Sequence, residues 1–395
     1  MNLDQSFIKL KLYCESEGFK GWDPYDGLNS KIFKATPLKN WDLARLAWIQ
    51  GFKRSPINFR SILMVPKETN AKGIGLFLSG YCNLYKIAEK GNTTFGTKDE
   101  ILEKINFLSN LLLELQNKEY SGACWGYNFD WQSRAFFLPE NTPTVVATSF
   151  VAEALLNAYE CTKNKLYLNT ALSSAEFILN DLNRIERKDN LYMFSYSPLD
   201  NRAVYNATLL GTRILSHIYY YTNNAEHKKA AFISAKAVCL TQKENGAFPH
   251  SDQVGDKWRD NFHTGFKIES LVTYQKYCND PSFNSNIEIG FNYWIENFFL
   301  PDGTAKYFDN NTYPIDLHCA AQSMPTMFKT GKLKNHRDLA EKVITRAITE
   351  MQNKKKGYFY FQKTKHFLNK TSYMRWPNAW MFYGMSYLLL FKKEK

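Results

Sequence analysis

The chain has 395 residues, of which 44% are hydrophobic, 16% aromatic and 22% charged, fractions that exclude a disordered or collagen-like chain and leave a soluble globular protein with a large core. The formal net charge of +12 favours an anionic partner. The lysines are scattered, with only short clusters such as 354–356, and form no arm or stripe that follows a phosphate backbone, so nucleic acid is not an expected partner.

The first nineteen residues read as an amphipathic helix with Phe7, Leu10 and Tyr13 or Cys14 on one face, and they lack the apolar stretch of a signal peptide. GWDPYDGLNS, residues 21–30, is rich in turn formers and carries Asp23, Tyr25 and Asp26. It leads to an aromatic segment over 43–52 and reads as a lid or a brace. From residue 74 two kinds of helical segment alternate. Those beginning near 74, 144, 204, 262, 316 and 373 mix Gly, Ala, Ser and Thr with aromatics, as helices packed on both sides require. Between them lie single apolar stripes, such as Leu168, Ala171, Leu172, Ala175, Leu179 and Leu182, or Leu339, Val343, Ile344, Ala347, Ile348 and Met351. The same class recurs near 98–117, 225–240 and 283–299. With the N-terminal helix as the sixth outer member, the alternation predicts an all-α fold, an (α/α)6 barrel spanning 1–395 as a single domain, with residues 1–60 closing the ring. The apolar run 381–391 is too short to cross a bilayer, so no membrane insertion is expected. Seven cysteines without a CxxC pair predict reduced thiols and a cytoplasmic location.

Connections from inner to outer segments are short turns. Those from outer to inner run to about twenty residues, long for a compact fold, and repeat a Gln, Lys, Gly, aromatic signature in LQNKEYSGACWGY, LTQKENGAFPH and MQNKKKGYFYF. Gly122, Gly246, Gly303 and Gly357 predict tight turns followed by short hairpin strands. All the long loops then gather on one face, above the N-termini of the inner helices, where function is expected. The pattern resembles the alpha/alpha toroids, both the terpenoid cyclase and prenyltransferase repeat class and the six-hairpin sugar-active enzymes. QKENGAF at 242–248 is like the Gln/Trp repeat of the terpenoid cyclases, although the DxDD cluster of a protonating cyclase is absent. GWDPYDGL, WGYNFDWQSR, DNFHTGF, YPIDLH and YMRWPNAWM together resemble a bacterial family associated with surface-polysaccharide biosynthesis, which implies a function in carbohydrate metabolism.

Within the loops, WGYNFDWQSR offers Trp125, Tyr127 and Trp131 as stacking faces, Asp130 as a carboxylate and Arg134 as an anion clamp. As a plain hairpin, the same stretch would pack its aromatics on the rim. Asp260 and His263 open one inner helix, and Asp316 and His318 open the next. An acid at that position caps free amides, while an imidazole there is held neutral by the helix dipole. His250 and Asp252 lie in the loop before Asp260. Arg375 and Trp376 open the last inner helix, as a carboxylate clamp or as structural side chains. Glu153 and Glu269 fall inside inner helices and need partners.

Two neutral imidazoles, His263 and His318, suit proton abstraction next to a carbonyl, the chemistry of an epimerase or lyase. Carboxylates drawn from Asp130, Asp252, Asp260 and Asp316 suit glycoside hydrolysis instead. An enzyme is favoured over a non-catalytic glycan-binding protein because acids and imidazoles join the aromatics; a prenyl- or terpenoid-binding toroid is a further reading. DLHC at 316–319 brings zinc-ligand types together, but His318 and Cys319 point about 100° apart on a helix, so no metal and no cofactor is expected. The expected partner is a sugar or oligosaccharide, an anionic one included.

Overall fold

The computed structural model describes residues 1–133, 136–253, 255–256 and 258–393. Its helices in chain order are α1 (Leu3–Ser16), α2 (Lys31–Lys34), α3 (Asp42–Arg54), α4 (Ala71–Glu89), α5 (Lys98–Glu114), α6 (Val145–Thr162), α7 (Lys165–Glu176), α8 (Tyr205–Thr222), α9 (Ala225–Cys239), α10 (Asn261–Cys278), α11 (Asn284–Phe298), α12 (Leu317–Lys329), α13 (Arg337–Met351) and α14 (Trp380–Lys393). The even-numbered helices from α4 to α14 pack side by side, and α14 returns to α4 to close the ring. Each of the first five is backed by the helix that follows it, while α14 is backed by α1 from the other end of the chain. The protein is thus an (α/α)6 toroid, with α2 and α3 added between the first outer and first inner helices.

The two classes of helix differ in what they bury. α4 is buried along nearly its whole length, whereas α5 buries Ile101, Ile105, Leu108, Ser109 and Leu112, one stripe at helical spacing. Small residues in the inner ring allow backbones to meet. A Cβ on Gly384 of α14 would stand 2.3 Å from the Ala321 carbonyl oxygen of α12.

The loop signature has a mechanical basis. Gln242 Nε2 donates to Gly246 O at 3.0 Å and to Asn286 O of α11 at 3.0 Å. Gln352 repeats this one third of the way around the ring, donating to Gly357 O at 2.7 Å and to Ser6 O of α1 at 3.0 Å. The glutamine therefore ties its own turn to the first turns of a neighbouring outer helix. The glycine lets the turn sit against that helix: a Cβ would lie 2.2 Å from Ile289 O at Gly246, 2.3 Å from Lys9 O at Gly357 and 2.0 Å from Ser173 O at Gly122. The strands expected after these turns are mostly single bridges, such as Asn117 with Cys124 and Gln352 with Phe359. Longer antiparallel pairs join β1 (Trp131–Gln132) to β2 (Phe137–Leu138) and β3 (Arg184–Glu186) to β4 (Tyr192–Phe194), while β5 (Ile315–Asp316), β6 (Gln362–Lys363) and β7 (Leu368–Asn369) form one small sheet. All lie in outer-to-inner connections, on the face that holds the inner N-termini.

Inside the ring, the two carboxylates that needed partners have them. Lys329 donates to Glu153 at 2.9 Å and to Glu269 at 3.2 Å, and Arg213 pairs with both. Gln322 and Thr326 add hydrogen bonds to Glu269. All seven cysteines are free thiols. No helix among the described residues is long and apolar enough to cross a membrane.

Gly246 has φ +91° in addition to its backbone contact. Gly246→Ala is expected to lower stability by at least about 2 kcal/mol through strain and displacement of α11, read as a lower urea midpoint with an unchanged slope. A wild-type midpoint would mean the loop can leave α11 without cost.

Candidate functional site

A cavity of about 660 Å³ opens among the long loops. The start of every inner helix contributes to its lining: Lys72 from α4, Val146 from α6, Asn206 from α8, Phe262 and His263 from α10, His318 from α12, and Arg375 with Trp376 just before α14. Six helix N-termini converge there, each with a positive dipole end.

Asp260 caps α10, accepting from the His263 backbone amide at 2.8 Å, and its other oxygen lies 2.7 Å from His263 Nδ1. A neutral His263 therefore donates its Nδ1 hydrogen to Asp260 and keeps the lone pair on Nε2. His263 is partly exposed to the cavity, and Asp260 is buried behind it. Asp316 caps α12 in the same way, through the His318 amide at 2.9 Å, but its carboxylate does not hold the imidazole. It accepts from Trp376 Nε1 at 2.9 and 3.1 Å and from Gln362 Nε2 at 3.1 Å. Burial raises the Asp316 carboxyl to about 6, against these hydrogen bonds.

The His318 ring is stacked between Phe262 and Trp380, with centroids at 4.0 and 3.9 Å. Neither of its nitrogens has a hydrogen-bond partner among the described residues. Burial, then the nearby Lys72, His263 and Arg375, hold it well below the usual histidine value, so it is neutral. His263 touches the same Phe262 ring at 4.3 Å, which keeps both imidazoles within reach of one small ligand. His250 stacks on Trp258 at 3.9 Å and lies 5.2 Å from His263. Burial chiefly, and then His263, push its pKa down to about 2.

Lys72, buried on the cavity floor, stands over three rings, at 4.5 Å from Phe150, 5.3 Å from Trp380 and 5.5 Å from Phe266. It has no ion pair among the described residues, and burial followed by Arg375 lowers its pKa well below the ordinary lysine value. Arg375 gives Nε and Nη2 to Asp23 at 2.5 and 2.8 Å. It comes from a π-helical turn over Met374–Ala379, whose wider winding precedes α14. Asp23 belongs to the N-terminal turn, which Arg60 braces from below by donating to Asp26 at 2.7 Å and to Asp23 O at 2.8 Å. Tyr25 from that turn lines the cavity and accepts from Lys53 at 2.8 Å. GWDPYDG is thus a brace that also forms part of the wall.

Tyr127, Trp131, His250, His263, His318, Arg375 and Trp376 all line this cavity. Four other sequence candidates are placed elsewhere. Trp125 is fully buried with its Nε1 donating to Leu112 O at 2.7 Å, so it has no face for a ligand. Asp130 accepts from the Glu140 amide and braces its own loop. Asp252 is exposed and paired with Arg187 at 2.5 Å. Asp316 lies behind Trp376, whose Nε1 donates to its carboxylate. Arg134 lies outside the described residues. Sequence reasoning missed Lys72, Arg202, Asn206 and Asp256, which line the cavity. Lys72 and Asn206 carried a signal, since each lies in the first turn of an inner helix. Asp256, held by Ser251 at 3.0 Å, is the one carboxylate among the described lining residues. Among the described residues, no group of three or more His, Cys, Asp or Glu side chains converges to hold a metal ion.

No family model and no curated protein matches the chain in sequence. Among solved structures it is similar to cellobiose 2-epimerase from Bacillus thermoamylovorans, with TM-score 0.60 and 15% identity over 80% of this chain and 87% of that one. It is also similar to the GH76 alpha-mannanase BT2949 of Bacteroides thetaiotaomicron (TM-score 0.64, 14% identity, 84% and 89% covered). A third is the unsaturated glucuronyl hydrolase of Bacillus sp. GL1, which is responsible for the degradation of glycosaminoglycan (TM-score 0.60, 10% identity, 98% and 95% covered). At these identities the likeness establishes the shared toroid.

Because His250 is neutral when folded, its imidazole signals should stay fixed as the pH falls to about 5, while an ordinary histidine titrates near 6.5. An unfolded chain takes up this proton below about 6.5, so His250 removes stability as the pH falls and contributes none of this loss above it. Imidazole carbon NMR checks the point, and a midpoint near 6 for His250 would contradict the packing described.

Proposed function

We propose that the protein is a carbohydrate-active enzyme that moves a proton at a carbon next to a carbonyl or carboxylate of an anionic sugar, as an epimerase or lyase does. The observation that carries this reading is the Asp260–His263 pair, which leaves a basic Nε2 at the cavity. In this reading His263 takes the proton. His318 is neutral, without a hydrogen-bond partner among the described residues and in contact with the same Phe262 ring, and it serves as the second proton carrier. Lys72 and Arg375 offset the negative charge that develops on the substrate oxygen.

The lining supports an anionic substrate. Lys53, Lys72 and Arg202 line the cavity with no ion pair among the described residues, Arg375 is paired with Asp23, Asp256 is the one described lining carboxylate, and the helix dipoles add to the positive side. Trp131, Tyr196 and Trp376 supply stacking faces. Paired-carboxylate hydrolysis has less support, since Asp260 holds His263 and Asp316 holds Trp376. A prenyl ligand is disfavoured by so many lining cations. The neighbours named as a sugar epimerase and a glucuronyl hydrolase fit this reading. The motif resemblance to surface-polysaccharide biosynthesis and the free thiols support a cytoplasmic role in bacterial glycan assembly such as capsule formation.

Incubation of uronates and reducing disaccharides in heavy water is expected to give solvent deuterium at the carbon next to the carbonyl or carboxylate, read by mass and proton NMR. His263→Gln should reduce the rate by about 10²-fold or more while leaving the fold intact. Asp260→Asn should lower it too, because the amide oxygen can still cap α10 but the NH2 group replaces the oxygen that accepts the His263 Nδ1 hydrogen. Binding without exchange, unchanged by His263→Gln, would instead identify a binding protein.

A further inference from the structure

The segment between α1 and α4 contains a surface that the cavity chemistry does not use. Eight of the eighteen exposed large apolar side chains among the described residues fall between positions 32 and 64. The most exposed are Leu43 at 82%, Ile62 at 72% and Trp41 at 63%. α3 explains part of this. Trp48 and Ile49 turn inward to a small core with Leu28, Phe33, Trp131 and Phe137, whereas Leu43, Ala47, Gly51 and Arg54 form an outward face at helical spacing. Trp41 stands at one end of the helix. Ile57 and Ile62 follow the other end, roughly 20 Å away, and Met64 is held beside Lys31 by a backbone hydrogen bond.

The same segment is strongly basic. Residues 31–67 contain eight lysines and arginines and a single acid, Asp42, which is paired with Arg45. Lys31, Lys39 and Arg54 are exposed and have no ion pair among the described residues. Tyr25 and Lys53 place the inner edge of this region on the cavity rim, so it lies on the mouth face. Three more exposed apolar side chains, Leu199, Tyr313 and Phe367, come from other loops of that face.

We infer that residues 31–64 form a docking surface for an anionic lipid bilayer, which seats the cavity mouth at the membrane. Exposed tryptophan and aliphatic side chains among unpaired cations match the boundary between acyl chains and negatively charged headgroups. A second copy of the chain is a poorer occupant, because it would set this basic segment against itself. The protein lies on the bilayer without crossing it. This docking is independent of the reaction in the cavity.

The test is sedimentation of the full chain with vesicles of phosphatidylcholine alone and with about 30% phosphatidylglycerol, supported by analytical ultracentrifugation of the protein without lipid. The anionic vesicles should bind at least about tenfold better, and the advantage should shrink with added salt. Combining Trp41→Ser, Leu43→Ser and Ile62→Ser should lower binding about tenfold. Combining Lys31→Glu, Lys39→Glu and Arg54→Glu should remove the preference for anionic lipid. Unchanged thermal midpoints establish that both variants are folded, and restoring Lys31 and Lys39 alone provides a milder charge variant. Absence of vesicle binding by the wild type overturns the inference, as does binding that neither set of substitutions alters. Self-association abolished by the serine variant without vesicle binding assigns the face to a second copy and equally overturns it.

Discussion

The ring depends on one buried contact between residues 352 positions apart, the bidentate pair of Arg375 with Asp23. Closing an (α/α)6 ring requires the two ends of the chain to meet, and this pair joins the start of the last inner segment to the first long loop. Around it, Met374 donates its amide to Trp22 O, and a Cβ on Gly21 would lie 2.6 Å from Met374 Cβ, so the strands of chain are in direct contact. Arg60 repeats the device one layer out through Asp26 and the Tyr373 hydroxyl. Buried ion pairs contribute little net stability compared with apolar packing, but losing one partner strands a charge. Their value here is registry, because the wrong closure leaves Arg375 or Arg60 buried alone.

Charge at that seam also shapes the cavity. Burial among rings that exclude water holds His318 neutral, aided by Lys72, His263 and Arg375. The two acid-and-imidazole helix starts therefore diverge chemically although their caps are alike. Asp260 sits three residues before its histidine and reaches both amide and ring, whereas Asp316 sits two before and reaches the amide only. One residue of spacing separates an imidazole held by its cap from one stacked between aromatic faces.

The ring was legible because its signal is repeated: six inner starts, apolar stripes and the Gln and Gly loop pattern each recur, and a recurring error would have to recur in phase. The site was legible only where a local rule applied. Caps at Asp260 and Asp316 follow from position in a helix, and the mouth face follows from loop length. What the sequence could not supply was the partner of each polar group across the ring. Trp125 and Trp131 stand six residues apart in one loop, yet one serves the core and the other the cavity, a difference set by the fold of the hairpin. Lys72 looked like an ordinary helix residue, since nothing near it in sequence reveals that three rings from other helices enclose its ammonium group.

The ion network of Glu153, Arg213, Glu269 and Lys329 gives the ring a topology of its own. Glu153, Arg213 and Glu269 are each the ninth residue of their helices, roughly 12 Å below the helix starts, Lys329 is the last residue of α12, and Phe150 lies between Lys72 and Arg213, with contacts of 4.5 and 5.4 Å. Among the described residues these side chains fill the ring axis beneath the cavity. With its axis filled at that depth, a ring of this kind would admit a ligand from the loop face, and a polymer entering there would meet the histidines with its end.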